Sequence, residues 1–323
     1  MNILGIETSC DETSAAVVKS GRVVLSNVVI SSLKEHAKYG GIIPEIASRR
    51  QLECIQAVVQ ESLSKAKLTL KKIDAVAVTA SPGLIGSLLV GVSFARSLAY
   101  ALKKPMIEVD HIKAHVYANF LKLPDKENLK MTDILPKLPA VGLIVSGGHT
   151  SLFYIKDFKN FKMLGQTRDD AAGEAFDKVA KILDLGYPGG PVIDRLAKKG
   201  IKSRVRFSPA TVPDLDFSFS GIKTAVLYHK RDFGPSKEFS VENVAYAFQE
   251  SVFESLVKKS ITACRKTNTK TLLVGGGVAA NSRLRQLLVK ECKNEKIHVF
   301  FPPMSLCLDN AAMIAGLGFR LFR

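Results

Sequence analysis

Two histidines four residues apart, His111 and His115 in the run HIKAH, are the strongest sign of chemistry in this chain. On a helix that spacing puts both imidazoles on one face, within reach of a single cation. The 323 residues hold only 6 histidines, so the pairing is informative. Asp309, in CLDNAAMIA where an apolar helix begins, could add a carboxylate. Two imidazoles and one carboxylate with open positions suit Fe(II), and catalytic Zn(II) is also held this way. The plainer alternatives are core or surface histidines and an Asp309 that merely caps its helix. Spacing alone cannot bring Asp309 to the pair. HIKAH also differs from the metallopeptidase motif HExxH, because Ile112 stands where that chemistry needs a glutamate base.

Elements that could position such a site are legible along the chain. Residues 2–9 read as a strand, 10–13 as a turn and 14–18 as a second strand. Residues 44–66 read as a helix, and 73–79 as a buried strand leading through SPGLIGS into an apolar helix. The pattern then returns: strand 141–145, the turn Ser146 to Thr150, and strand 151–155. Near the end come strand 271–274, the turn Gly275-Gly276-Gly277 and a helix over 278–289. GIETSCDETSAAVV and GLIVSGGHTSLFYI therefore look like one hairpin used twice. Each places a turn where backbone N–H groups could meet a phosphate, although such turns also arise for conformational reasons alone. An α/β chain of two duplicated lobes follows. Pro124, Pro136 and Pro139 mark a boundary, and the expected lobes are 1–118 with 310–323, and 119–309.

Composition narrows the class. The formal net charge is +16, with 46% hydrophobic and 24% charged residues, which excludes disordered, collagen-like and small secreted scaffolds. Five scattered cysteines without a CxxC pair speak against a disulfide framework and for a cytoplasmic chain. The start, MNILGIETSC, reads as a strand rather than a signal peptide. Gly83 to Leu102 is long enough to span a bilayer, but Arg96 and its Gly/Ser content favour a buried helix, so no membrane partner is expected. The basic excess gathers at Lys198, Lys199, Lys202, Arg204 and Arg206 and at Lys65, Lys67, Lys71 and Lys72. Such charge favours polyanions, or simply solvates a surface.

Taken together, the motifs resemble the TsaD family of tRNA threonylcarbamoyltransferases, whose archaeal and eukaryotic relatives sit in the KEOPS complex. The resemblance rests on GIETSCDETS (5–14), YGGIIPEIASR (39–49), SPGLIGSLLVG (81–91), the His111/His115 pair, VSGGHTSL (145–152), DDAAGEAFDKVAKILDLGYPGGP (169–191), DFSFSGIKTA (216–225), GGGVAANSRLR (275–285) and DNAAMIA (309–315). It implies the fold of actin, sugar kinases and heat-shock chaperone ATPases. It implies transfer of a threonylcarbamoyl group from threonylcarbamoyl-AMP to N6 of adenosine 37 in tRNAs reading ANN codons, with release of AMP. His111, His115 and Asp309 would hold one divalent metal per subunit, Fe(2+) in the first place and Zn(2+) as the alternative. Ile144, Val145, Ser146, Gly147, Gly148, Asp177, Gly190, Asp194 and Asn281 would bind the adenylate. Asp11 or Glu12 would take the proton shed by the attacking amine, unless both only cap the turn. Cys10 is read as a packed thiol. The partners implied are tRNA, a TsaB-like paralogue and a TsaE-like ATPase. In one departure, the family's HHMEGH becomes DHIKAH, with Asp110 and Lys113 altering the charge beside the metal. Rival readings are a metallopeptidase, a chaperone-like ATPase and a non-catalytic nucleic-acid-binding subunit.

Overall fold

The computed structural model describes residues 1–124, 135–201, 205–210, 212–234, 236 and 239–322. The chain divides into two compact units, Met1–Pro136 with Pro302–Arg323, and Lys137–Phe301. Against the boundaries expected at 118/119 and 309/310, this division puts Asp309 in the same unit as the two histidines.

The first unit holds strands β1 (Asn2–Glu7), β2 (Glu12–Lys19) and β3 (Val23–Ser31), the short helix α1 (Leu33–Ala37), α2 (Pro44–Lys65), β4 (Ala75–Ser81), α3 (Ile85–Leu102), β5 (Met106–Asp110) and α4 (His111–Tyr117). The second holds β6 (Ala140–Val145), β7 (Thr150–Ile155), β8 (Phe161–Gln166), α5 (Ala172–Ile182), α6 (Gly189–Ala197), α7 (Ser220–Phe233), α8 (Val241–Lys266), β9 (Thr271–Gly275), α9 (Ser282–Asn294) and β10 (His298–Phe300). The last helix, α10 (Ala311–Phe322), belongs to the first unit.

The sheet orders are β3-β2-β1-β4-β5 and β10-β9-β6-β7-β8. In each unit an antiparallel meander (β1 to β3, β6 to β8) is extended by two parallel strands beside its first strand. The topology is thus duplicated, as the two similar hairpins suggested. Side chains alternate across each strand. Leu4, Ile6, Ala15 and Val17 pack with Ile55, Val58 and Val59 of α2. On the other face α10 lies on β1 so closely that a Cβ at Gly5 would sit 2.2 Å from the Ala311 carbonyl oxygen. A close helix–strand contact needs that glycine.

Two sequence expectations change. The apolar helix α3 is not a buried helix: its buried residues are Ser87, Gly91, Ala95 and Ala99, a stripe of small residues at i, i+4 spacing. Gly91 must be small because a Cβ there would lie 2.2 Å from the Thr8 hydroxyl. Ile85, Leu89 and Tyr100 consequently face outward. Among the described residues α3 is the one helix long and apolar enough to cross a membrane. The helix expected over 278–289 is broken into a 3-10 turn at Gly277–Ala280 and α9, because Asn281 caps α9 with its own side chain.

Candidate metal centre and active site

Parallel β1, β4 and β5 end on one edge of the first sheet, the side where α/β sheets bind ligands. Glu7 ends β1, Thr79 lies near the end of β4, and β5 runs directly into α4. His111 opens that helix and His115 follows one turn later. Asp110 accepts the Lys113 N–H at 2.9 Å, so the residue that departs from the family pattern is the N-cap of α4. Since α10 lies on β1, Asp309, two residues before that helix, reaches the same edge.

The three candidate ligand atoms converge. His115 Nε2 lies 3.1 Å from His111 Nε2 and 3.0 Å from Asp309 Oδ1, and His111 Nε2 lies 3.6 Å from that oxygen. Donors about 2.1 Å from a common ion are ~3.0–3.4 Å apart, so two of the spacings fit one cation and the 3.6 Å pair must close slightly to join them. Asn310 is the residue seen to cap α10: its Oδ1 accepts the Met313 N–H at 3.2 Å and its side-chain NH2 donates to the Leu306 and Leu308 carbonyls.

Sequence reasoning missed Glu7. Its Oε2 lies 3.1 Å from His111 Nδ1 and accepts the Thr79 hydroxyl at 2.5 Å, while Oε1 accepts the Ser9 N–H at 2.5 Å. Ser9 Oγ is also 3.1 Å from His111 Nδ1. A carboxylate only accepts, so a neutral His111 carries its proton on Nδ1 and leaves Nε2 free for an ion. The signal was a charged residue ending the otherwise apolar strand NILGIE, which period-2 reasoning passed over. Burial alone would push His111 down, but Asp309 and Glu7 outweigh it and hold the imidazole up at about 9. Burial would likewise raise Glu7, yet the facing His111 keeps it below the usual carboxylate value. His115 Nδ1 is buried without a hydrogen-bond partner. Two buried imidazoles turned toward one another beside a carboxylate are the donor set a divalent ion requires.

The turn between β1 and β2 carries Cys10, Asp11 and Glu12. Ser31 Oγ lies 3.5 Å from both Asp11 Oδ2 and Glu12 Oε1. Burial, then the charges of Asp309 and Asp11, push the Glu12 carboxyl up to about 10. Burial and the nearby carboxylates also push the Cys10 thiol up, away from the thiolate form. All five cysteines are free.

In the second unit, Ile144 and Val145 have side chains fully buried in the sheet, leaving only their backbone to serve a ligand. Ser146 Oγ accepts the His149 N–H at 3.1 Å and shapes the turn, and a Cβ at Gly147 or Gly148 would meet nothing within 4 Å. Ile144 pairs with Gly275, which brings the late glycine turn alongside. There Gly276 has φ +92 and a Cβ would lie 2.4 Å from the Val145 carbonyl oxygen. Gly173, at the start of α5, donates to the Ser146 carbonyl at 3.1 Å. The turn 146–149, the glycine turn and the start of α5 are therefore gathered together. Asp177 accepts the Gly189 N–H at 2.7 Å, next to Gly190 at the start of α6, and burial raises its carboxyl. Asp194 pairs with Lys198 at 2.7 Å. Asn281 accepts from Arg283 and Leu284 N–H groups and donates to Gln249 at 3.0 Å. Of the basic residues, Lys198, Lys199 and Arg206 are described, while Lys202 and Arg204 lie outside the described residues.

An α/β chain with two copies of the actin-like sheet and a two-histidine, one-carboxylate centre at the end of its first parallel strands defines the class: an actin-like ATPase-fold protein with a candidate metal centre. Solved structures agree on the fold. HypF from T. kodakarensis has a TM-score of 0.63 at 15% identity, over 99% of this chain and 48% of that one. The component A of (R)-2-hydroxyglutaryl-CoA dehydratase from Acidaminococcus fermentans has a TM-score of 0.55 at 15% identity, over 99% and 98%. The family is narrower: residues 23–316 match the model of TsaD, tRNA N6-adenosine threonylcarbamoyltransferase, and the chain belongs to that family. Relatives named tRNA N6-adenosine threonylcarbamoyltransferase include one from Clostridium botulinum, 51% identical over 322 residues, and one from Caldicellulosiruptor saccharolyticus, 49% identical over 320. Each alignment covers 99% of this chain and 92% of the relative.

Proposed function

We propose that this chain transfers the threonylcarbamoyl group of threonylcarbamoyl-AMP to N6 of adenosine 37 in tRNAs that read ANN codons. The observation that carries the reading is the convergence of His111, His115 and Asp309 beside the turn bearing Asp11 and Glu12, in a chain that matches the family nearly end to end. In the reaction N6 attacks the carbamoyl carbon, the carbon–oxygen bond to phosphate breaks, AMP leaves with the electron pair, and N6 loses a proton. AMP is a good leaving group, so positioning and charge stabilisation dominate the protein's task.

His111, His115 and Asp309 would hold one divalent ion, Fe(2+) by the donor set, with Zn(2+) as the alternative. When bound, it supplies Lewis acidity toward phosphate and carbonyl oxygens. Glu7 and Ser9 orient His111. Backbone N–H groups at Gly147 and Gly148 would hold phosphate, with Ile144 to Ser146 placing that turn. Asp177, Gly190, Asp194 and Asn281 would line the remainder of the adenylate site. Asp11 or Glu12, in the turn beside the three ligands, would accept the proton that N6 sheds.

The adenosine lies in an anticodon loop, where an unpaired base can be splayed out. Lys198, Lys199 and Arg206, with the Lys65 to Lys72 group, are proposed to contact tRNA phosphates. The apolar strip formed by Leu52 and Ile55 of α2 with Leu89, Val90 and Phe94 of α3 is proposed as the seat of a TsaB-like paralogue. A TsaE-like ATPase would complete the assembly, in the cytoplasm.

The deciding experiment supplies labelled threonine, an adenylate-forming enzyme and an ANN-decoding tRNA, with and without partners. Nucleoside mass spectrometry should find modified adenosine. ATP turnover or protein cleavage without tRNA modification would refute the proposal.

A further inference from the structure

The turn from Thr8 to Glu12 offers five successive backbone carbonyls, and Thr8, Ser9, Cys10, Asp11 and Glu12 each have theirs bonded by a donor outside the turn. Leu84 N–H donates to Ser9 O at 2.8 Å, and the Ser32 N–H and hydroxyl donate to Asp11 O at 3.0 and 2.8 Å. The other three go to one side chain, with the Ser87 hydroxyl a second, longer donor to Cys10 O at 3.4 Å. Gln51 Nε2, on α2, lies 3.2 Å from Thr8 O, 2.8 Å from Cys10 O and 3.2 Å from Glu12 O.

Gln51 is 1% exposed, and its Oε1 is buried without a partner. An orphaned buried acceptor is unfavourable, and a leucine or methionine would fill the space without it. What the amide provides is two N–H donors shared among three carbonyls that no apolar side chain could hold. We propose that Gln51 is a positioning residue for the transfer reaction: it clamps the turn in the conformation that presents Asp11 and Glu12. This rests on reading the turn as part of the active site. Gln51 touches neither carboxylate, so its effect passes through the backbone alone. Small displacements of reacting groups lower rate before they lower binding.

The test uses the full chain with its partners and the complete adenylate-forming system. Q51M removes both donors at similar volume, and Q51E leaves at most one O–H donor at nearly the same shape, so one variant remains if the other folds poorly. The expected result is a kcat lowered about tenfold or more, with KM for tRNA and adenylate within about twofold of wild type. Metal content should be unchanged. Hydrogen exchange should quicken in peptides covering residues 7–13 and nowhere else. Wild-type kcat together with wild-type exchange at 7–13 would overturn the proposal, as would faster exchange throughout the chain. If exchange at 7–13 quickens while kcat holds, and D11N and E12Q are also fully active, it is the catalytic reading of the turn that fails, and with it Gln51's part in transfer.

Discussion

Glu7 Oε2 lies 3.1 Å from His111 Nδ1, joining two buried side chains 104 positions apart. The contact decides which imidazole nitrogen is bare. It also makes a strand-end glutamate part of the candidate metal centre without being one of its ligands.

Replacing Glu7 by glutamine should keep the fold but release the tautomer of His111. Metal affinity is then expected to fall by about 10- to 100-fold, the usual effect of losing such a supporting carboxylate. Competition with a chelator, read by elemental analysis of the anaerobically purified protein, would show it. Affinity equal to wild type would remove Glu7 from the site.

Neighbouring Asp309 and Asn310 should separate cleanly. Asp309→Ala is expected to abolish stoichiometric metal while leaving the melting temperature of the metal-free protein nearly unchanged. Asn310→Ala removes the cap of α10 and should destabilise by roughly 1 kcal/mol. The same two measurements, metal content and thermal melting, would expose an exchange of these roles.

Gly5→Ala places a methyl group 2.2 Å from the Ala311 carbonyl oxygen and 2.8 Å from the Ala315 nitrogen. Because both are backbone atoms, α10 must shift, at about 1–3 kcal/mol or more. Asp309 precedes that helix, so metal affinity should drop along with stability. Gly41→Ala, where nothing lies within 4 Å of the new Cβ, is the control expected to alter neither.

Asp170 accepts from Lys178 at 2.5 Å and Lys223 at 2.7 Å. Burial would raise its carboxyl, but the two ammonium groups outweigh it and hold the group below its ordinary value. The stabilisation is therefore present above the unfolded carboxylate value near 3.8 and lost as pH falls through the lower folded value. Lys178 is partly solvated, which limits the gain to roughly 1–2 kcal/mol. Urea melts of wild type and Asp170→Asn should differ by that amount at pH 7 and converge below about pH 3. A gap that stays constant with pH would contradict the ion-pair account.

Transfer RNA binding should weaken steeply with salt, as phosphate neutralisation demands. Lys199→Glu with Arg206→Glu is expected to lower affinity at low salt and flatten the slope by about one unit for each phosphate no longer neutralised. Filter binding at several salt concentrations measures both, and an unaltered slope would place the tRNA elsewhere.

Much of this molecule was legible before folding. The duplicated hairpins announced two similar sheets because turn residues and strand periodicity are local properties. The i, i+4 pair His111 and His115 was legible for the same reason, since one helical turn brings them together. Asp309 was suspected, but as a ligand or as a helix cap, and only the packing of α10 on β1 brings it to the histidines. The apolar run of α3 could not reveal which face it buries, because packing of Gly91 on Thr8 turned the small residues inward. Glu7 gave only the faint sign of a charge at the end of an apolar strand, and Gln51 gave none. Their partners lie 104 and 39 to 43 positions away, and only the folded sheet carries a buried carboxylate to an imidazole or an amide to three carbonyls. Sequence by itself determined the elements and the kinds of ligand available; long-range packing decided which polar groups would meet, because burial leaves each of them to find its partner inside the protein.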